Sequence, residues 1–303
     1  MPACSLPALC FPISEPFLPG STKSLHLFEA RTLGALEESY GKCGGLIAHV
    51  CVAQQIDDGP GSAMIIPMAS LARVTRLERL EVGVEVDILC EGRVFVTDVT
   101  PERDGGFLTV KVVDVPPPDV DDVSADVLED AERLRVTLED IITLAERLQS
   151  SPGSASEDGD DLEDDDMMWG HRETSSLRAA MEWADNVTRV RVTDLLEERA
   201  KTGDDNVASE AAPWVVSPSP MDRGEGQLLR AERLTFAAVQ SAPSSSFEDD
   251  VELVSCRINA ISLIEGEDRG LSARMKVVTD FAEEQRKLLR AKVALRGVDS
   301  TAS

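Results

Sequence analysis

The side chains best suited to covalent chemistry are a histidine and a cysteine two positions apart. His49 and Cys51 lie in an apolar run typical of a strand, and alternate residues of a strand share a face, so the two side chains are expected to be close. A thiol beside an imidazole is the pairing of a nucleophilic enzyme. A third group to orient the imidazole is not apparent, so a partly buried pair in a sheet is favoured, with a stand-alone thiol hydrolase as an alternative.

The same pair could also contribute to a metal site. Cys43, His49 and Cys51 make three candidate ligands, but a fourth is not apparent, and we predict no metal. The six cysteines contain no C-x-x-C pair, so free thiols in a reducing compartment are expected. The acidic run 157–166 lacks the glycine of a calcium loop in every register, and a solvated linker is predicted there.

A lysine after a glycine, at Gly41-Lys42, is the nearest approach to a phosphate-binding loop. Six residues separate Gly34 from Gly41, where the motif has four, and Cys43 stands where serine or threonine would hold magnesium. The segment also follows a helical pattern instead of a strand. We therefore predict a helix end with a surface lysine, and no cofactor.

Composition excludes several classes of partner. The formal net charge is −26, which repels phosphate backbones, and no Lys/Arg-rich run offsets it, so nucleic acid is not a predicted partner. No apolar run approaches the roughly 20 residues that span a bilayer, so no membrane partner is predicted. The first residues lack the features of a signal peptide, which favours an intracellular, soluble, cytoplasmic protein, or a plastid or mitochondrial one whose transit peptide is missing.

The hydrophobic pattern changes character near residue 118. Before it, short apolar segments separated by glycine-containing turns predict a compact β domain over 1–118, including a turn at Glu91-Gly92 and a helix at 32–41 ended by Gly41. After it, apolar residues recur at helical spacing, which predicts a helical region over 119–303 with acidic or proline-containing loops near 150–170 and 202–226. Helices are predicted at 124–149, at 177–199 with a kink near Asp185-Asn186, and at 227–240, 249–265 and 269–295. The predicted fold class is α+β.

The most informative stretch is residues 6–33, LPALCFPISEPFLPGSTKSLHLFEARTL. Its prolines favour an edge strand, and Pro19-Gly20 predicts a turn. The order LPxxxFP, FLPG and LHLFEAR resembles the opening of the Lon protease amino-terminal, or substrate-binding, domain. In that family LPLFP is followed by LFPG and LHIFEPRY. Ala30 stands where the family usually has proline, and Thr32 where it usually has tyrosine.

This resemblance implies a fold and a function. The fold is an amino-terminal, PUA-like β pseudo-barrel with a short helix, followed by a carboxy-terminal helical bundle. The function is non-catalytic binding of proteins or unfolded peptide segments, as an adaptor in regulated proteolysis with a separate AAA+ protease or ubiquitin-ligase component. ATPase and Ser-Lys peptidase motifs are not found in the sequence. RNA binding through a PUA-like module is an alternative, which the acidic charge disfavours.

Apolar residues around the motif form the predicted peptide- or partner-binding surface: Phe11, Phe17, Leu18, Leu25 and Phe28. Most are expected in the core, because a domain poor in aromatic residues needs its phenylalanines inside. Phe17 and Leu18 stand between prolines near a turn and are expected to be the most exposed. Clustered exposed apolar groups tend to mark contact sites.

Overall fold

Seven strands from the amino-terminal part of the chain pair in one bent sheet. The computed structural model describes residues 2–13, 15–54, 63–101, 106–116, 125–150, 171–186, 188–202, 219–220, 223–240 and 271–299. The predicted helix at 249–265, nearly all of the loop near 150–170 and most of the loop near 202–226 lie outside these residues. The chain divides into two units, Met1–Pro117 with Val187–Gly226, and Pro118–Asn186 with Gln227–Ser303.

All seven strands of this sheet belong to the first unit, and each is paired with at least one other. Its order is β1-β7-β6-β5-β3-β4, with β2 paired to β6, and β1 also pairs with β3. A short helix α1, Ala30–Lys42, lies between β2 and β3 in the chain. The strands are β1 Cys4–Pro12, β2 Thr22–Leu27, β3 Leu46–Gln54, β4 Ala63–Ile65, β5 Met68–Arg79, β6 Val84–Pro101 and β7 Leu108–Asp114. The predicted α+β class, with a pseudo-barrel before helices, is confirmed.

Strand β1 is paired on both edges, and the prediction of an edge strand is wrong. Its first half, Cys4 to Ala8, runs antiparallel to β7, and its second half, Ala8 to Pro12, runs parallel to β3. Ala8 has a partner in both ladders, so the two neighbours lie on opposite edges. The prolines are compatible with this arrangement because Pro7 and Pro12 each pair on one side only.

Strand β6 continues through the position where a turn was predicted. Leu71 pairs with Gly92 and Ala72 with Cys90, so Glu91 is an extra residue in β6, which makes a β-bulge. A glycine within an apolar run can mark a bulge as well as a turn, and sequence alone does not distinguish the two. The bulge is stabilised by Arg73, whose Nε donates to the buried Glu91 carboxylate at 2.6 Å.

Helix α1 ends at Lys42, one residue later than predicted. Its C-cap is Cys43, whose N–H donates to the Ser39 carbonyl, and the N–H of Gly45 donates to the same oxygen at 3.0 Å. Gly44 and Gly45 have φ values of 57° and 79°, the left-handed conformation that glycine adopts at little cost. The helix therefore uses this glycine pair, and not Gly41, to end.

Two apolar clusters cover opposite faces of the sheet, as period-2 alternation requires. One contains Leu6 and Ala48 and is completed by Val192 and Leu195. The other contains Ile47 and Ile88 and is completed by residues of α1, including Leu36. The sheet thus acquires a core on each face.

The segment that completes the first cluster was predicted to be part of one helix over 177–199. The structure has two helices instead, α3 His171–Asp185 and α4 Val192–Thr202, with a short strand, β8 Thr188–Arg189, between them. The Asp114 carboxylate at the end of β7 accepts hydrogen bonds from the N–H groups of Val192 and Thr193 at 2.7 and 3.0 Å. These two N–H groups are at the start of α4, so Asp114 caps this helix from the sheet.

The second unit is helical. It contains α2 Ala125–Gln149, α3, α5 Arg223–Gln240 and α6 Leu271–Asp299, while β9, Ser219–Pro220, pairs with β8 in the first unit. The apolar residues that recur at helical spacing form a stripe along α2, and most of this stripe is buried, including Leu134, Leu138 and Ile141. A buried ion pair joins Arg274 of α6 to Glu232 of α5 at 3.3 Å.

A histidine lies buried within the first unit. The ring of His49 stacks on Phe11 at 4.2 Å between centroids, lies 5.3 Å from Phe17, and is 1% exposed. Neither ring nitrogen has a hydrogen-bond partner among the described residues. Burial, with a smaller contribution from the Lys23 cation, lowers the pKa of His49 from 6.5 to about 4. The ring is therefore neutral at physiological pH.

Replacing His49 by phenylalanine is expected to flatten the pH dependence of stability between pH 6.5 and 4. Over this range the unfolded chain takes up a proton at His49 and the folded chain does not, so the free energy of unfolding falls by about 3 kcal/mol as pH decreases. Urea unfolding at several pH values measures the slope. His26→Gln, at an exposed ring, is the control, and an unchanged slope in His49→Phe would contradict this assignment.

Replacing Asp114 by alanine is expected to lower the free energy of unfolding by about 1 kcal/mol, because α4 loses two hydrogen bonds at its N terminus. Asp114→Asn keeps one acceptor oxygen and should retain part of this stability. Circular dichroism during urea unfolding compares the three proteins. Equal stability of Asp114→Ala and the parent would show that the cap contributes nothing.

Candidate functional site

Phe17 and Leu18, expected to be the most exposed residues of the motif, are buried. They are 4% and 3% exposed. The Phe17 carbonyl accepts hydrogen bonds from the Ser70 hydroxyl and, at 3.7 Å, from the Cys90 thiol. The Gly20 N–H donates to the Cys90 carbonyl at 2.7 Å, so this segment is attached to β6 beside the bulge. The prolines therefore shape an inward-packed segment, and the predicted exposure is wrong.

The remaining motif residues differ from one another in exposure. Phe11 and Leu25 are partly buried and pack against the cluster that contains Ile47. Phe28, expected in the core with the other phenylalanines, is 60% exposed. Phe28 follows the last residue of β2, and Leu27 before it points inward, so the alternation of the strand places Phe28 on the outside.

Phe28 forms part of an exposed apolar patch. The turn between β5 and β6 approaches it: the His26 ring lies 5.6 Å from the Phe28 ring, and His26 Nε2 lies 2.8 Å from the Val82 carbonyl oxygen. Val82 is 66% exposed, and Leu80 in the same turn is also exposed. We define the Phe28 patch as Phe28, Leu80 and Val82.

A glycine brings the turn against the end of β2. Gly83 has a φ of 80°, and a Cβ at this position would lie 2.2 Å from the Leu27 carbonyl oxygen and 3.0 Å from the Phe28 Cα. No other residue type fits this contact without moving the backbone. Gly83 therefore fixes Val82 beside Phe28, although 53 residues lie between Phe28 and Val82 in the sequence.

Sequence reasoning missed Leu80 and Val82. The available signal was a turn, Leu80-Glu81-Val82-Gly83, that carries two large apolar residues, whereas hairpin turns are usually polar. Carboxylates flank the patch: Glu81 lies in the turn, and Glu29 follows Phe28 and pairs with Arg31 at 2.6 Å. The patch is thus apolar with acidic groups at its margin.

The His49 and Cys51 pair has ionisation states unsuited to nucleophilic catalysis. Burial raises the pKa of the Cys51 thiol to about 11, while the pKa of His49 is lowered to about 4. At neutral pH the thiol is protonated and the neutral imidazole is a weak base, so neither group is activated. Cys43 packs in the cluster that contains Leu6. His49 stacks on Phe11, which packs against the cluster that contains Ile47, on the opposite face of the sheet. The three candidate metal ligands therefore do not converge.

Among the residues that the structure describes, no group of three or more His, Cys, Asp or Glu side chains is arranged to hold a metal ion. Among the described helices, none combines the length and apolar character needed to cross a membrane.

The chain is similar to solved structures of Lon N-terminal domains. The N-terminal domain of Mycobacterium avium complex Lon protease is 15% identical with a TM-score of 0.36, and the match covers 67% of this chain and 100% of that one. The crystal structure of a Lon N-terminal domain protein from Xanthomonas campestris is 22% identical with a TM-score of 0.32, covering 44% and 72%. A search of curated proteins found no match.

A family model also matches the chain. The model of the ATP-dependent protease La (LON) substrate-binding domain matches residues 7–168, and it begins within the LPxxxFP segment. The matched region is more than half of the 303 residues. The chain therefore belongs to the Lon substrate-binding domain family.

Proposed function

We propose that this substrate-binding module recognises exposed apolar segments of polypeptides through the Phe28 patch, and that it acts as an adaptor in regulated proteolysis. The observation that carries the proposal is the exposure of Phe28 and Val82, side by side, in a chain with few aromatic residues. Unfolded polypeptides expose apolar side chains, which this patch can cover.

The energetics favour a partner at this position. Burial of a phenylalanine or valine side chain is worth about 1.5–3 kcal/mol, and at Phe28 and Val82 most of that free energy is not gained within the chain. An apolar segment placed on the patch would recover it. The backbone contacts of Gly83 keep the patch in shape before binding, which reduces the entropy lost on association.

Charge sets a preference among such segments. The net charge is −26, and Glu29 and Glu81 flank the patch. Segments with lysine or arginine next to apolar residues should associate faster than acidic ones, and the difference should decrease with salt. The same charge disfavours the RNA-binding alternative.

The adaptor role concerns a second partner. A module that binds a polypeptide without cleaving it needs a separate protein to degrade the polypeptide or mark it for degradation. We propose a AAA+ protease or a ubiquitin-ligase component as this second partner. Affinity recovery from an extract of its own cells, with and without ATP, should retain such a component by mass spectrometry. Recovery of unfolded polypeptides alone would contradict the adaptor role and leave a holding function.

Replacing Phe28 by serine is expected to weaken binding of a carboxymethylated, permanently unfolded polypeptide by about tenfold, since truncating a central aromatic contact commonly costs more than 1 kcal/mol. Val82→Ser should weaken it by a smaller factor. Fluorescence anisotropy with the labelled polypeptide measures the Kd of each variant.

Leu288→Ser is the matched control for these variants, because Leu288 is also an exposed apolar residue but lies on α6. Its Kd should equal that of the parent. If Phe28→Ser and Leu288→Ser bind equally well and both remain folded by circular dichroism, the Phe28 patch is not the binding surface.

A further inference from the structure

The ladder between β1 and β7 ends at Ala8, the one residue of β1 that pairs with both β7 and β3. Ala8 pairs with Leu108, the first residue of β7, and at the same position it pairs with Ala48 of β3. Beyond Ala8, β1 continues to Pro12 along β3 only. The edge of residues 9–12 that faces away from β3 therefore has no strand partner among the residues described. We call this place the fork.

A cleft of about 240 Å³ lies at the fork. Three elements supply its walls: the middle of β1, the start of α1 and the residues that lead into β7. The lining residues are Ala8, Leu9, Cys10, Arg31, Thr32, Gly106, Phe107 and Leu108. Pockets that enclose a whole small molecule are usually about 300–1,000 Å³, so this cleft is suited to one or two residues at the end of a longer ligand.

Arg31 is the charged member of the lining residues that the structure describes. Its Nε donates to the Glu29 carboxylate at 2.6 Å, and its Nη nitrogens have no partner within the described part of the chain. Cys10 lines the same cleft. Burial raises the pKa of the Cys10 thiol, and the Arg31 charge opposes this rise. The remaining walls are mostly apolar. A ligand for this cleft therefore combines an apolar group with an anion.

We propose that the fork binds the C-terminal residues of a polypeptide. The peptide backbone adds as a strand to the open edge of β1, the last side chain occupies the cleft, and the α-carboxylate pairs with the Nη nitrogens of Arg31. This proposal rests on the proposed function and specifies a second contact for the same class of substrate.

Each part of the cleft matches one part of such a ligand. The open edge offers backbone N–H and C=O groups before Pro12, whose own carbonyl already accepts the Glu15 N–H at 2.9 Å. Extended peptides use such edges in β-augmentation. The guanidinium Nη groups form charge-assisted hydrogen bonds with a carboxylate. An internal segment of a polypeptide could satisfy the edge but brings no backbone charge to Arg31. A free chain end supplies the strand, the side chain and the charge together.

The test uses the full chain and two octapeptides that end in leucine, one with a free C-terminal carboxylate and one amidated. The carboxylate peptide is expected to bind about tenfold more tightly by fluorescence anisotropy, because the amide removes the charge-assisted bond. It should also slow alkylation of Cys10 by iodoacetamide, since Cys10 is exposed and lines the cleft. Tandem mass spectrometry assigns the label to Cys10, which shares a tryptic peptide with the buried Cys4.

Arg31→Gln is expected to abolish the difference between the two peptides. Its side chain is exposed, so the substitution should leave the fold unchanged by circular dichroism. Arg178→Gln is the matched control, since Arg178 is an exposed arginine of α3 with its own carboxylate partner, Glu146. This control should preserve the tenfold preference and the protection of Cys10.

Equal affinity of the parent for the two peptides, or a preference that survives in Arg31→Gln, would overturn the proposal. Failure of the proposed function is detected by a separate measurement, the Kd of the carboxymethylated polypeptide for Phe28→Ser compared with the parent. That variant is expected to retain the preference for a free carboxylate, because Phe28 is not among the lining residues of the cleft. A preference lost equally in Phe28→Ser and Arg31→Gln would also overturn a separate site at the fork.

Discussion

The pairing of β1 on both edges is the constraint on which the first unit depends. Ala8 stands at the crossing, where the ladder with β7 ends and the ladder with β3 begins. Because β7, β6, β5 and β3 follow one another in the sheet, β1 joins the two ends of that series. A short strand with prolines can do this because neither half of it has to be paired on both sides.

This joined sheet presents two apolar faces that different parts of the chain must cover. Helix α1 covers one from a position next to β2 in sequence, while Val192 and Leu195 cover the other after an interval of more than seventy residues from β7. Asp114 holds the returning segment by capping α4. The nearby helix α1 and the distant segment with Val192 and Leu195 thus stabilise the same sheet. Because closing the longer interval costs more chain entropy, the distant segment needs the hydrogen bonds to Asp114.

Strand β6 contacts both the buried and the exposed part of the motif of residues 6–33. The segment that contains Phe17 and Gly20 attaches to Cys90 beside the bulge and carries Phe17 into the interior. At the other end of the same strand, Gly83 brings the turn against Phe28. Contacts with one long strand therefore hold Phe17 in the interior and place the turn residue Val82 beside the exposed Phe28.

The sequence by itself determined the α+β class, the order of strands before helices, the family and the buried stripe of α2, because these follow from local periodicity and from a compound motif. Tertiary structure decided the rest. Whether Gly92 makes a turn or a bulge, whether Phe17 or Phe28 faces solvent, and whether residues 188–202 join the helices or the sheet all depend on pairing between distant segments. The approach of Val82 to Phe28 and the fork at Ala8 could not be identified beforehand, since each brings together residues only through strand register, which the identity of nearby residues does not specify.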